Sequence, residues 1–427
     1  MELEEARDRI RETDEAMAAL FVRRMAAAAE IAAYKRAHGL PVEDKAQEAR
    51  VLAGRGALIE DDALRPYYLE LLQETMELSK RWQRRFYDDG ALHVDLGAAG
   101  YDVCLRCGAL AEAGTLLDLD RRVLVVTDAG VPARYAGALA AQCFSPLVVT
   151  VPESEDCKTP DALQTLLEAM LRAGFTRGDC VCAVGGGAVG DLAGLAAALY
   201  MRGVDFYNVP TTLLAQADSC VGGKTGIDLA GVKNAAGVVR QPKKVLIDPD
   251  LLETLPWRQL ACGLAEALKA GMIGDASLLA LVESLLESEM SARTFEQVIA
   301  SALRVKIRIV EQDETERGAR RALNFGHTIG HAIESVTGLP HGACVALGML
   351  PMCAPTLRAR LERMFARMGL PVQVRADPAA VYAALLHDKK MTGDQIQAVF
   401  VETPGQYEIR PVPPEALRAG IETVVSL

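Results

Sequence analysis

A chain of 427 residues is too long for one ordinary core, because domains run to roughly 100 to 200 residues, so two or three domains are expected. Half of it is hydrophobic, 24% is charged and 5% is aromatic, which excludes a disordered or collagen-like chain and predicts a globular one. With 57 Asp and Glu against 46 Lys and Arg the net charge is -11, the wrong sign for a phosphate-backbone binder, so nucleic acid is not an expected partner and an anionic substrate must be gripped by a local group of cations.

The first ninety residues are dense in Glu, Arg and Ala and read as helix. Apolar residues recur at helical spacing through Ile10, Met17, Leu20, Phe21 and Ile31, predicting one helix from Leu3 to about Arg36 that HGLP at 38–41 ends. A short second helix is expected from an N-cap at Asp44 to the GRG at 54–56, and a third from about Asp61 to Phe86. DDG at 88–90 marks a boundary. The start, MELEEARDRIRETDEAM, is acidic and amphipathic, so no secretory signal is read.

Beyond the boundary, RRVLVVTDAG, SPLVVTVP, DCVCAVGGG, FYNVP and KKVLIDP are short apolar strands separated by helical stretches such as 159–173. That alternation predicts a mostly parallel sheet. After about Leu255 helices take over, at 275–290, 294–311 and 327–337. The expected plan is a helical module over 1–90, an α/β domain over 91–260 and a helical domain over 261–427. The ten cysteines are scattered rather than concentrated, which points to a reducing, cytoplasmic setting. Cys104 and Cys107 form one C-x-x-C with no second pair to complete a metal site. The longest weakly polar stretch, 180–201, contains Gly185, Gly186, Gly187, Gly190 and Asp191, against a membrane span.

Three motifs carry chemistry. The strand DCVCAV runs into Gly185-Gly186-Gly187-Ala188-Val189-Gly190 and then an Ala- and Leu-rich helix. This places a G-x-G-x-x-G at a strand-to-helix turn, where backbone N–H groups and the helix dipole suit a pyrophosphate. Lys224 follows a glycine pair and offers a mobile point charge for a phosphate. Of only six His, three cluster as His327, His331 and His341. His327 and His331 stand at i and i+4 on one helix face, where both reach one divalent ion, with His341 or Glu266 as a third ligand.

From about residue 93 onward the sequence resembles 3-dehydroquinate synthase, of the sugar phosphate cyclase superfamily. The resemblance rests on GGGAVGDLAG, MRG, PTTLLAQADSCVGGKTGID, Lys233-Asn234, LAEALKAG, NFGHTIGHAIE, HGACVALGM and DKK at 388–390, in the family's order. It implies zinc, with cobalt as the alternative, held by Glu266, His327 and His341. His331 then belongs to the substrate's phosphate end with Lys224, Asn234, Lys390 or Lys389, and Arg202 of a partner subunit. Asp218, Lys269, Lys306, Arg320 and Asn324 would hold hydroxyls and carboxylate. Asp128, Glu155, Lys158, Gly185, Gly186, Gly187, Asp191, Thr211, Thr212 and Lys233 would bind NAD. The implied reaction oxidises 3-deoxy-arabino-heptulosonate 7-phosphate at a ring carbon, expels phosphate, returns the hydride, opens the ring and closes a carbocycle by an aldol step.

The first ninety residues resemble the all-helical chorismate mutase, through Arg7, Asp14, Arg24, Lys35, PVEDKAQE at 41–48 with Asp44 and Glu48, and Ser79 with Gln83. The resemblance implies an intertwined homodimer that converts chorismate to prephenate, Arg7 of one chain serving the pocket of the other. Gln47 stands where the family usually has Arg, which removes one cation. The alternatives are a helical module that only dimerises or senses a ligand, and a main body that acts on a related sugar phosphate or an amino analogue, or as a polyol dehydrogenase. Lys306, Arg320 and Asn324 together favour a carboxylated substrate.

Overall fold

The structure, a computed structural model, describes residues 3–38, 44–84, 92–287, 290–386, 391–392 and 395–427. The chain divides into two compact units, Met1–Ala91 and Leu92–Leu427.

The first unit is three helices: α1 (Leu3–Ala37), α2 (Lys45–Gly56) and α3 (Arg65–Arg84). Asp44 caps α2, its side chain accepting from the Gln47 N–H, as its position in the sequence led one to expect. α3 begins at Arg65 rather than near Asp61. The Asp61 carboxylate is used by a turn, accepting from Ala63 N–H, and Pro66, which has no N–H to satisfy, fits the first helical turn. α1 packs on α3 through Ala28 and Ala32, which are buried with Met76, Ser79 and Gln83. Small residues at 28 and 32 let the two backbones approach. Most of α1 lies beyond that contact, and Ile10, Met17, Leu20, Phe21, Val22, Ile31 and Tyr34 are exposed.

The second unit opens with β1 (Leu92–Val94), β2 (Tyr101–Leu105), α4 (Ala113–Leu116), β3 (Arg122–Asp128), α5 (Ala133–Ala140), β4 (Ser145–Val151), α6 (Pro160–Arg172), β5 (Cys180–Gly185), α7 (Gly187–Leu199) and β6 (Asp205–Pro210). A hairpin of β7 (Lys224–Leu229) and β8 (Val232–Val239) and then β9 (Lys244–Ile247) complete it. The seven-stranded sheet has the order β1-β2-β9-β6-β5-β3-β4, parallel except for the β1 and β2 pair. Alternate residues serve its two faces. Val123, Val125, Cys180 and Cys182 pack with α5, while Leu124, Val126, Val181 and Ala183 pack with α6 and α7. Burial on both faces explains why these strands read as continuous apolar runs. The stretch from Lys224 to Val239 is a two-stranded antiparallel ladder.

The helices that follow are α8 (Trp257–Gly274), α9 (Ser277–Glu287), α10 (Ala292–Gln312), α11 (His327–Thr337), α12 (His341–Met349) and α13 (Pro355–Met368). β10 (Val374–Arg375), α14 (Pro378–Leu386), β11 (Met391–Thr392), β12 (Gln395–Phe400), β13 (Glu408–Val412), α15 (Glu415–Val424) and β14 (Val425–Ser426) end the chain. The sequence predicted helices here and missed these short strands. None of the described helices is long and apolar enough to cross a membrane, and all ten cysteines are free.

Candidate functional site

Three helices converge because glycines let their backbones touch. A Cβ on Gly348 of α12 would lie 1.9 Å from the Gly326 carbonyl, one on Gly330 of α11 2.8 Å from the Cys344 carbonyl, and one on Gly342 2.5 Å from the Cys262 carbonyl of α8. Gly326 itself sits at φ 79, where glycine is favoured. The first residues of α11 and α12, His327 and His341, thereby meet Glu266 of α8. Nε2 of His341 is 3.3 Å and Nε2 of His327 3.6 Å from Glu266 Oε1. His331 joins them, since one ligand nitrogen from each of the three imidazoles lies within 4.8 Å of the others. Both the i, i+4 histidine pair and the Glu266, His327, His341 set are therefore brought together.

The ring protons can be assigned from the partners. His327 Nδ1 faces the Phe325 carbonyl at 3.2 Å and His341 Nδ1 faces Glu334 Oε2 at 2.8 Å. Both partners accept, so each Nδ1 carries a proton and each Nε2 faces Glu266 Oε1. Burial pushes His327 well below its usual pKa, keeping that ring neutral. For His341 burial works in the same direction, but Glu266 and Glu334 outweigh it and raise the ring to about 9. Burial opposes the Glu266 charge as well, yet Lys269, His327 and His341 hold its carboxyl well below the usual range. Both Glu266 oxygens are buried and accept no well-directed hydrogen bond. A buried carboxylate lacking such bonds beside converging imidazole nitrogens fits a divalent cation.

Glu334 had no role assigned from the sequence, although it is quoted within NFGHTIGHAIE. It stands three residues after His331 and seven after His327, on the same helix face, and its other oxygen takes Lys233 Nζ at 2.6 Å. Lys233, expected among the cofactor residues, thus reaches the histidine cluster through Glu334.

Beside the cluster, charges alternate. Lys269 Nζ is 2.6 Å from Glu266 Oε2 and 3.7 Å from Asp218 Oδ2, and Lys306 Nζ is 2.8 Å from Asp218 Oδ1. Asp218 comes from a single π-helical turn, Ala215–Ser219, after β6. Burial disfavours the charge on each of these groups. Lys269 is nonetheless held above its usual value by Asp218 and Glu266, and Asp218 below its own by Lys269 and Lys306. Lys306 is pushed down, burial and the neighbouring cations outweighing Asp218.

The loop between α10 and α11 brings the next group. The Asp313 carboxylate accepts from the N–H groups of Arg317, Gly318 and Arg320. Arg320, 2% exposed, donates to the Gly222 carbonyl at 3.0 Å and to the Glu314 carbonyl. Its Nε has no partner among the described residues. Glu316, which the sequence reading missed, joins Asn324 at 2.7 Å and Lys224. Arg202 is exposed in left-handed backbone, with no contact to this cluster among the described residues. Lys389 and Lys390 lie outside the described residues.

The cofactor candidates gather at the carboxyl ends of neighbouring parallel strands, where open α/β sheets take their ligands. Asp128 ends β3, Glu155 and Lys158 follow β4, Gly185, Gly186 and Gly187 join β5 to α7, and Thr211 and Thr212 follow β6. A Cβ on Gly185 would stand 2.6 Å from the Val189 side chain and one on Gly187 2.9 Å from Ser219 Oγ. Lys158 Nζ lies 2.7 Å from Asp191 Oδ2 and also meets Asn234, tying this group to the substrate candidates. Asp128 Oδ1 accepts from Gly130 N–H at 2.8 Å.

In the helical unit, Arg24 of α1 donates to the Thr75 carbonyl at 3.0 Å and to Ser79 Oγ of α3. Glu48 of α2 meets Lys80 of α3 at 3.2 Å. Gln83, one turn on, is buried with its Oε1 unpartnered among the described residues. Lys35 is half-buried near the end of α1. Arg7 is exposed and paired with Glu4. It stands 17 residues before Arg24 on one helix, about 25 Å away.

Comparison with known proteins places this fold among the sugar phosphate cyclases. The structure matches 2-epi-5-epi-valiolone synthase from Streptomyces hygroscopicus with NAD+ and Zn2+ bound at TM-score 0.70 and 28% identity, over 76% of this chain and 96% of that one. It also shares its fold with 2-deoxy-scyllo-inosose synthase complexed with carbaglucose-6-phosphate, NAD+ and Co2+, at TM-score 0.69 and 23% identity, over 78% and 99% of the two chains. The 3-dehydroquinate synthase from Symbiobacterium thermophilum is 38% identical over 78% of this chain and 99% of its own length. That from Latilactobacillus sakei is 41% identical over 75% and 95%.

Residues 148–262 match the 3-dehydroquinate synthase N-terminal family, and residues 263–391 the C-terminal one. The chain belongs to the 3-dehydroquinate synthase family, and its residues 6–84, which match chorismate mutase type II, make it a fusion of the two.

Proposed function

We propose that the larger unit converts 3-deoxy-arabino-heptulosonate 7-phosphate to 3-dehydroquinate and phosphate, and that the helical unit converts chorismate to prephenate. The observation that carries the first activity is the line Glu266, Lys269, Asp218 and Lys306 beside three converging imidazoles, in a chain of this family.

In this reading Glu266, His327 and His341 hold zinc, with cobalt as the alternative, and the residues at the strand ends hold NAD. The bound ions and cofactors reported for the cyclase neighbours support the choice. When bound, the metal supplies Lewis acidity at a substrate hydroxyl and NAD a reversible hydride sink. The protein's part is positioning. Glu334 fixes the His341 ring through Nδ1, and Lys233 fixes Glu334. Lys269, Lys306 and Asp218 orient hydroxyls in a site that lacks bulk water, where their charges act strongly. Arg320, Asn324 and Lys224 meet the carboxylate and phosphate of the substrate, with Asn234, His331, Lys390 and the partner's Arg202 completing the anion grip.

The helical unit acts as a homodimer. Arg7 is too far along α1 to serve the Arg24 pocket of its own chain, and the apolar residues along the same helix are exposed, so a second copy supplies Arg7 and covers them. Arg24, Lys35, Asp44, Glu48, Ser79 and Gln83 then surround chorismate. Ten unpaired cysteines suit a cytoplasmic enzyme. Phosphate release from the heptulosonate phosphate with catalytic NAD and zinc tests the first activity, and the His327→Ala variant tests the metal assignment. Unchanged turnover in that variant would refute it. For the helical unit the readout is the loss of chorismate's ultraviolet absorbance.

A further inference from the structure

We infer that Lys80 is a substrate-holding cation of the chorismate site, in the role that a neutral Gln47 cannot fill. The inference rests on the mutase reading of the helical unit. Chorismate carries two carboxylates, and a glutamine at 47 leaves the pocket one positive charge short.

The structure supplies a replacement from a different helix. Lys80 lies between Ser79 and Gln83 on α3, and its side chain is only 12% exposed, uncommon for a lysine unless it is paired. Two carboxylates hold it: Glu77 Oε1 at 2.5 Å, one turn earlier on the same helix, and Glu48 Oε2 at 3.2 Å, across on α2. Glu77 is half exposed and could have kept the lysine in solvent. The amine instead reaches inward to Glu48, itself a pocket candidate. Burial opposes the charge on Lys80, but the two glutamates outweigh it and keep the ammonium protonated.

An ammonium has three donors and no acceptor. Two face Glu77 and Glu48, which leaves one for an incoming carboxylate. The adjacent Gln83 points to a ligand independently, because it is more than nine-tenths buried and its Oε1 lacks a partner among the described residues. Arg24 of α1 on Ser79 and Lys80 of α3 on Glu48 thus set two cations beside neighbouring positions of α3, with Gln83 one turn further on.

The test uses the full chain and follows chorismate absorbance for wild type, Lys80→Gln, Lys80→Arg and the double variant Lys80→Gln with Gln47→Arg. Removal of one charged hydrogen bond raises KM for chorismate roughly ten- to a hundredfold. Lys80→Arg keeps most of the affinity, and Gln47→Arg restores it in the Lys80→Gln background. Phosphate release by the larger unit serves as a check that each preparation is intact. An unchanged KM in Lys80→Gln overturns the inference, as does a loss that Gln47→Arg fails to restore, which would make Lys80 a structural strut. A wild-type chain that leaves chorismate untouched defeats the mutase reading, and the inference with it.

Discussion

His341 is held between two carboxylates of different purpose, Glu266 at Nε2 and Glu334 at Nδ1. If His341 holds the metal as proposed, the outer one fixes which nitrogen faces it, so Glu334→Gln, which keeps the shape and removes the charge, should weaken zinc binding by roughly ten- to a hundredfold. Metal titration of the apo protein would show it; unchanged affinity would mean that Glu334 serves only the Lys233 pair. The histidines were legible in the sequence because six in 427 residues make a cluster of three conspicuous. Spacing alone left open whether His341 or Glu266 joins His327 and His331, since i, i+4 spacing on α11 gives no distance to α8, and Glu266 is 61 residues from His327 in the chain. Glu316 was invisible for a related reason: its partners, Lys224 and Asn324, meet only once the loop has folded.

The helices around the metal cluster depend on glycine. Gly348→Ala would drive a methyl into the Gly326 carbonyl, parting α11 from α12 and moving His327 from His341. Overpacking of this kind costs about 1–3 kcal/mol, so the variant should melt earlier and bind zinc more weakly. Asp313 organises the loop that carries Glu316 and Arg320. Burial tends to raise its pKa, but the three N–H groups outweigh that and lower it. A depressed carboxyl stabilises the fold above its unfolded pKa, about 3.9, and that stabilisation is lost as pH falls through the lower folded value. Asp313→Asn should therefore be somewhat less stable at neutral pH, and should lose less than wild type below pH ~4, as acid unfolding curves would show. Most long helices were readable from apolar spacing and, for α2, from the cap at Asp44. The β7 and β8 hairpin was not, because a glycine interrupts each strand and β8 is largely exposed, erasing the alternation that marks a half-buried strand.

The whole molecule joins two activities that are not consecutive steps of one conversion. If a second copy completes the mutase site, Phe21→Asp on the exposed face of α1 should abolish chorismate turnover and leave phosphate release intact. Chorismate turnover retained in that variant would contradict the dimeric site. The acidity of the chain argues against nucleic acid, while its clustered cations are gathered around Asp218 and Glu316 and beside Ser79. For the larger unit, the direct question is whether hydride is returned. The deciding measurement follows phosphate and NADH together as the zinc-loaded chain acts on 3-deoxy-arabino-heptulosonate 7-phosphate with substoichiometric NAD. The account predicts one phosphate per substrate and no net NADH; NADH accumulating without phosphate would contradict it.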